Sequence, residues 1–212
     1  MWVKTLLCAL SFVIVTSKEV KFSSKCRLDD SECLKKTTQD FIPTFTSGIP
    51  EIGLEVLDPL YIDKVDVNNP DLKIVTRNMK ITGFRNTKVK EIKVDKDITK
   101  IFARTTVGLD CTSDYEVSGK LLILPIEGKG PMTIHIPEIE MTVAVDLLRK
   151  TENGKTYFMG TYKEHTATLK KKSDVRLGNL FSGNKALAAA AEEMIAQNGN
   201  EIIDMIADPI IR

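Results

Sequence analysis

Four cysteines and two histidines are the residues of this chain best suited to redox, metal or nucleophilic chemistry. Cys26 and Cys33 lie seven apart, Cys111 stands alone, and Cys8 sits in an apolar run at the amino terminus. In an oxidising compartment the near pair is expected to form a disulfide. Closing so short a loop is worth on the order of 2–3 kcal/mol and would pin the amino-terminal strap to the body. A zinc site is the weaker alternative, because neither a histidine nor another cysteine stands close by. Cys111 reads as a small buried hydrophobe on a strand, in preference to a reactive or intermolecular thiol.

The histidines offer little acid–base chemistry. His135 alternates with Ile134 and Ile136, and His165 lies in Lys163-Glu164-His165-Thr166, so both read as ordinary strand residues. The chain carries no Gly-x-Ser-x-Gly elbow, no His-Glu-x-x-His helix and no phosphate-binding glycine loop. Gly128-Lys129-Gly130-Pro131 follows no strand–helix unit and is expected to be a hairpin turn. Asp63, Asp66 and Asp71 flank Asn68 and Asn69 without the glycine and closing glutamate of a calcium loop, which predicts a polar turn. Lys170-Lys171-Lys172 reads as a solvated strand end. These residues predict neither an enzyme nor a metal or cofactor site.

The elements that carry them follow from periodicity. Residues 30–47 predict a helix, capped by Asp30 or Ser31, with Leu34, Thr38, Phe41 and Phe45 at helical spacing. Pro43 is expected to end or kink it, and Gly48-Ile49-Pro50 stops it. From about residue 60 to 172 the period becomes two. Thr105, Val107, Leu109 and Cys111 share one face, and Tyr115, Val117, Gly119, Leu121 and Ile123 share another. The longest alternation runs through Met132, Ile134 and Ile136, then past Pro137 through Ile139, Met141, Val143, Val145 and Leu147. Asn153-Gly154 is a hairpin turn that returns the chain as a partner strand. Such long strands predict an antiparallel meander that bends or bulges at Pro125 and Pro137. Residues 185–208 then predict a helix with Leu187, Ala191, Met194, Asn198, Ile202, Met205 and Ile206 along one stripe, and a bend at Gly199. The fold class is therefore α+β: a long, strongly curved antiparallel sheet wrapped around a carboxy-terminal helix, with a short amino-terminal helix.

Composition agrees with one globular unit. Of 212 residues, 42% are hydrophobic and 28% charged, which excludes a disordered chain. Lys4 followed by the apolar run Leu6 to Val15 has the anatomy of a secretory signal peptide over residues 1–17, too short for a membrane anchor. Residues 18–212 then form a single domain. The chain has 30 basic and 29 acidic residues, and removing Lys4 leaves 29 of each. A balanced chain predicts no nucleic-acid partner.

Cys26 through Cys33-Leu34-Lys35, Gly48-Ile49-Pro50-Glu51-Ile52-Gly53 and Leu57-Asp58-Pro59-Leu60 resemble the insect takeout and juvenile hormone binding protein family. The stretch from Tyr115 to Gly130 resembles the family's central hairpin, and Leu180 to Leu187 the lead-in to its terminal helix. The matches run in order across essentially the whole mature chain. The resemblance implies an apolar tunnel between sheet and helix, as in the wider tubular lipid-binding superfamily. It also implies the amino-terminal disulfide, here Cys26–Cys33. With Cys111 alone remaining, the second bridge of true juvenile hormone binders has no counterpart, which points to the takeout branch. Against the resemblance, the terminal helix is expected to be shorter than the family's.

The expected function is a secreted, monomeric carrier of a terpenoid, juvenile-hormone-like or fatty-acid-derived ligand, found in haemolymph or another extracellular fluid. A receptor or membrane delivery partner is the further partner class. The alternative is a ligand-dependent signalling or regulatory protein with a circadian, feeding or chemosensory role. The expected tunnel lining comes from three regions. The first helix gives Phe41 and Phe45. The strands give Tyr115, Ile123, Thr133, Ile134, Ile136, Met141, Val143, Val145 and Tyr157. The terminal helix gives Leu187, Ala191, Met194, Ile202 and Ile206. Tyr115, Thr133 and Tyr157 are the candidates to bond a ligand's polar end. Ala191, small for its position, is expected to face ligand space.

Overall fold

The computed structural model describes residues 24–68, 70–152 and 154–211, without the side chains of Lys155 and residues 206–211. The expected signal peptide lies outside the described residues. Helix α1 spans Ser31–Thr46, and Asp30 caps it by accepting the Cys33 amide at 3.0 Å. Pro43 lies inside this helix without ending it, which runs on for three more residues. Cys26 and Cys33 are bridged, with Cα atoms 5.6 Å apart, and Cys111 is free and buried.

Seven antiparallel strands follow: β1 Leu60–Asn68, β2 Leu72–Thr82, β3 Lys88–Val94, β4 Lys100–Leu121, β5 Leu124–Glu152, β6 Lys155–Leu169 and β7 Asp174–Leu177. Strands β4 and β5 pair along nearly all of β4, from Lys100↔Asp146 to Leu121↔Leu124. They are long enough for each to take two neighbours in succession. β2 and then β3 lie along the other edge of β4, while β7 and then β6 lie along the other edge of β5. The register slips between Val107↔Ile139 and Leu109↔Ile136, which is the irregularity expected at Pro137. Helix α1 docks on β3 through Gln39, whose amide donates to the Thr87 carbonyl at 2.9 Å and accepts the Val89 amide at 2.8 Å. One side chain thus serves the strand edge as a peptide group would.

The expected turn at Gly128–Pro131 is not a turn. These residues lie inside β5, with Gly128 opposite Val117 and Gly130 opposite Tyr115. The hairpin closes at Leu122-Ile123 instead, with Leu122 at φ 56°. A Cβ on Gly130 would lie 2.5 Å from the Gly178 carbonyl oxygen, so the glycine is there to let backbone pass. Close approach and tight turning both select glycine, and the sequence alone does not separate them.

The expected terminal helix is two helices, α2 Lys185–Gln197 and α3 Gly199–Ile211. They meet at Asn198, whose φ −116° and ψ 27° leave the helical range. Asn200 fastens the junction to the chain between β6 and β7, accepting the Ser173 amide at 2.9 Å and donating to the Lys171 carbonyl at 3.2 Å. The main core lies between these helices and the sheet, around Leu72, Met79, Leu121, Met132, Leu180, Ile195 and Ile202, which are almost wholly inaccessible. Among the described residues no helix is long and apolar enough to cross a membrane.

Candidate functional site

The two faces of the β4–β5 pair differ in chemistry. One carries ion pairs where β3 and β6 flank it: Arg104 reaches Glu91 and Glu140, Lys170 reaches Glu140, and Lys171 reaches Glu138. The other is an apolar row interrupted only by Ser113 and Thr105. On β5 it runs Met132, Ile134, Ile136 and then, past the slip, Ile139, Met141, Val143 and Val145. On β4 the partners are Ser113, Cys111, Leu109, Val107, Thr105, Ala103 and Ile101. From Ser113 to Ile101 is twelve residues, or roughly 40 Å of strand.

The two ends of this row are covered differently. At the Met132 end α2 and α3 close over it, and the side chains are buried. The space left there is a void of about 10 Å³, bordered by Ile74, Tyr115, Val117, Met132, Leu177 and Ile202. That is room for about one water molecule. At the Val145 end Met141, Val143 and Val145 are only half-buried. There β6 brings Ala167, His165 and Tyr162 opposite them, and the Tyr162 hydroxyl and His165 Nδ1 are hydrogen-bonded. A larger depression of about 200 Å³ lies against α1, but it is open and lined by Glu32, Lys35, Lys36 and Asp40, which suits no lipophile.

The sequence-predicted residues divide accordingly. Tyr115, Ile134, Ala191 and Ile202 are buried in the core, and Ile136 and Met194 pack against it. Tyr115 was expected to meet a ligand, but its hydroxyl donates to the Gly178 carbonyl at 2.8 Å. Ala191 was expected to face open space; it is completely buried and does not border the void. Ile123 is 84% exposed, because it sits in the β4–β5 turn and not on a strand face. Thr133 is exposed, since it alternates with the buried Met132 and Ile134. Tyr157 is half exposed, because the β5–β6 hairpin runs past the start of β4 and has no third strand there. Leu187 is half exposed at the start of α2, whose buried face is Ala191 and Ile195. Phe41 is half-buried and Phe45 exposed, their ring centres 6.3 Å apart on α1. The Ile206 side chain lies outside the described residues.

Ile74, Val117, Met132, Val175 and Ile195 were not among the predicted lining residues. The first four carry the alternation signal, but choosing the inward parity requires the pairing. Ile195 sits four residues after Ala191, and the phase break at Asn198 hid it from a stripe drawn straight through to Ile206. Burial shifts the two titratable groups on this face: the Cys111 thiol is pushed up to about 11 and the Tyr115 phenol to about 12. Both stay neutral at physiological pH. His135 Nδ1 lies 2.6 Å from Asp110 Oδ1 on the exposed side, away from the apolar row. Among the described residues no cluster of His, Cys, Asp and Glu could hold a metal ion.

The family model for haemolymph juvenile hormone binding protein matches residues 5–212. The chain belongs to that family. It is 32% identical over 187 residues to the circadian clock-controlled protein daywake of Drosophila melanogaster, covering 82% of this chain and 71% of that protein. It is 29% identical over 106 residues to the juvenile hormone-binding protein of Manduca sexta, covering 49% of this chain and 46% of that one. The crystal structure of Epiphyas postvittana Takeout 1 has the same fold, with a TM-score of 0.79 at 27% identity over 88% of this chain and 87% of that one. The takeout resemblance carried by the cysteine pair, the central hairpin and the helix lead-in therefore holds.

Proposed function

We propose that this chain is an extracellular carrier for a small neutral lipophile, which lies along the apolar face of β4 and β5 and enters from the half-buried end at Met141, Val143 and Val145. The observation that carries the reading is the continuity of that face. It runs from side chains sealed beneath α2 and α3 to equally apolar side chains that remain partly open. Family membership supports it, as does the Manduca sexta relative named for binding juvenile hormone.

The energetics suit a carrier. Burying about fifteen carbons at ~0.8 kcal/mol each gives roughly 12 kcal/mol. Association costs of about 4 kcal/mol leave near 8, or micromolar affinity. A void of about 10 Å³ is far below the several hundred Å³ of a typical ligand site. The open half of the face therefore supplies most of the room, and the deep end must yield as the ligand enters. The test is native mass spectrometry of protein secreted by insect cells, before and after delipidation and addition of a neutral C15 terpenoid alcohol. A 1:1 adduct in either sample is expected. The unladen mass alone in both would refute the carrier reading.

A further inference from the structure

Two hydroxyls at the closed end of the face have no partner. Thr76 Oγ1 and Ser113 Oγ are buried and make no hydrogen bond within the protein. Thr76 is 1% exposed and Ser113 8%. A buried hydroxyl left unpaired costs free energy, so most native proteins avoid it. Here two occur on one inward face. Thr76 lies opposite Tyr115, and Ser113 is two residues before Tyr115 on the same side of β4. They are diagonal neighbours beside the register shift between Arg77 and Lys80. Their neighbours border the small void: Ile74 precedes Thr76 by two, and Met132 lies opposite Ser113.

A third hydroxyl, that of Tyr115, stands on the same face. Tyr115 donates its hydroxyl proton to the Gly178 carbonyl, and neither Thr76 Oγ1 nor Ser113 Oγ bonds to its oxygen. Among the described residues no lysine, arginine or histidine is buried. An ionised carboxylate brought there would meet no cation, whereas a neutral oxygen would meet two hydroxyl donors.

We infer that Thr76 and Ser113 form the polar head site of the carrier and select a ligand ending in a neutral oxygen acceptor, a carbonyl of the ketone or ester kind. This rests on the carrier reading above and adds the class of its ligand. The geometry sets the ligand's direction. The head lies deep, beneath α3, and the tail runs along β4 toward Val107, six residues or roughly 20 Å away. The face is already half-buried at Leu109 and Ile136 and, past the buried Val107–Ile139 pair, stays half-buried to Ile101 and Val145, so the tail leads toward the open end.

The experiment compares three C15 probes of matched length by displacement of a neutral fluorescent lipophile: a methyl ketone, the alkane and the fatty acid at pH 7.5. Wild type is expected to bind the ketone about tenfold more tightly than the alkane or the acid. In Thr76→Val and Ser113→Ala the ketone-to-alkane ratio is expected to fall toward one. Ligand-free Thr76→Val should melt no lower than wild type, because it loses only an unpaired hydroxyl, and this separates lost recognition from a damaged fold. Equal ketone and alkane affinities in wild type, or an unchanged ratio in both variants, would overturn the head site while leaving the carrier reading intact. Failure of all three probes to displace the fluorophore would overturn both.

Discussion

Gly199 stands so close to the Ser173 carbonyl that a Cβ added to it would lie 2.4 Å from that oxygen. The contact sits where α3 begins and where Asn200 binds the Ser173 amide. It sets how near the terminal helices come to the sheet, and so how completely they close the deep end of the apolar face.

Helix propensity alone would make Gly199→Ala stabilising by about 1 kcal/mol. The Ser173 contact reverses the sign, because backbone cannot swing aside as a side chain can. The variant is expected to lose about 1–3 kcal/mol in urea unfolding. A stabilised Gly199→Ala would mean that the helices sit farther from the sheet than described.

Ala191→Phe tests the packing of α2. Ala191 has no exposed surface and sits among the buried side chains of the core, so a phenyl ring has no room. A loss of about 1–3 kcal/mol is expected by calorimetry. A melting temperature equal to wild type would show instead that this helix face looks onto ligand space.

Alkaline pH should weaken the fold through Cys111 and Tyr115. Burial raises the thiol from 9.0 to about 11 and the phenol from 10.0 to about 12. The unfolded chain therefore releases these protons first. Their contribution is fully present below pH 9 and is lost as pH rises, through 11 for Cys111 and through 12 for Tyr115. Each accounts for roughly 2–3 kcal/mol across its window. Denaturation followed from pH 8 to 12 should show stability falling, with a shallower fall in Cys111→Ala and in Tyr115→Phe. A wild-type profile flat to pH 12 would contradict the burial of both groups.

Much of this architecture is legible in the residues. Period-two alternation along Met132 to Leu147 announces the long strand, the Cys26–Cys33 spacing announces the bridge, and Gly199 marks the break between helices. What depends on tertiary proximity is not legible. Gly130 looks like a turn until Gly178 is seen beside it. Ile123 continues an alternation that the chain abandons at Leu122. Thr76 shares the alternation of Leu72 and Ile74, and Ser113 looks like an ordinary polar strand position, but only the pairing with Tyr115 and Met132 shows that the two share one inward face without partners.

The most direct test of the carrier account is a binding isotherm for a neutral C15 fluorescent probe on delipidated protein, comparing wild type with Val143→Lys and Thr168→Lys. Val143 lies on the apolar face at the half-buried end, whereas Thr168 is exposed and pairs with Glu140 on the ion-paired face. Wild type and Thr168→Lys are expected to bind with micromolar affinity, and Val143→Lys at least tenfold more weakly, since the probe would have to pass or bury a charge. Equal binding by all three proteins would contradict the account, because the probe would then be held somewhere other than the apolar face of β4 and β5.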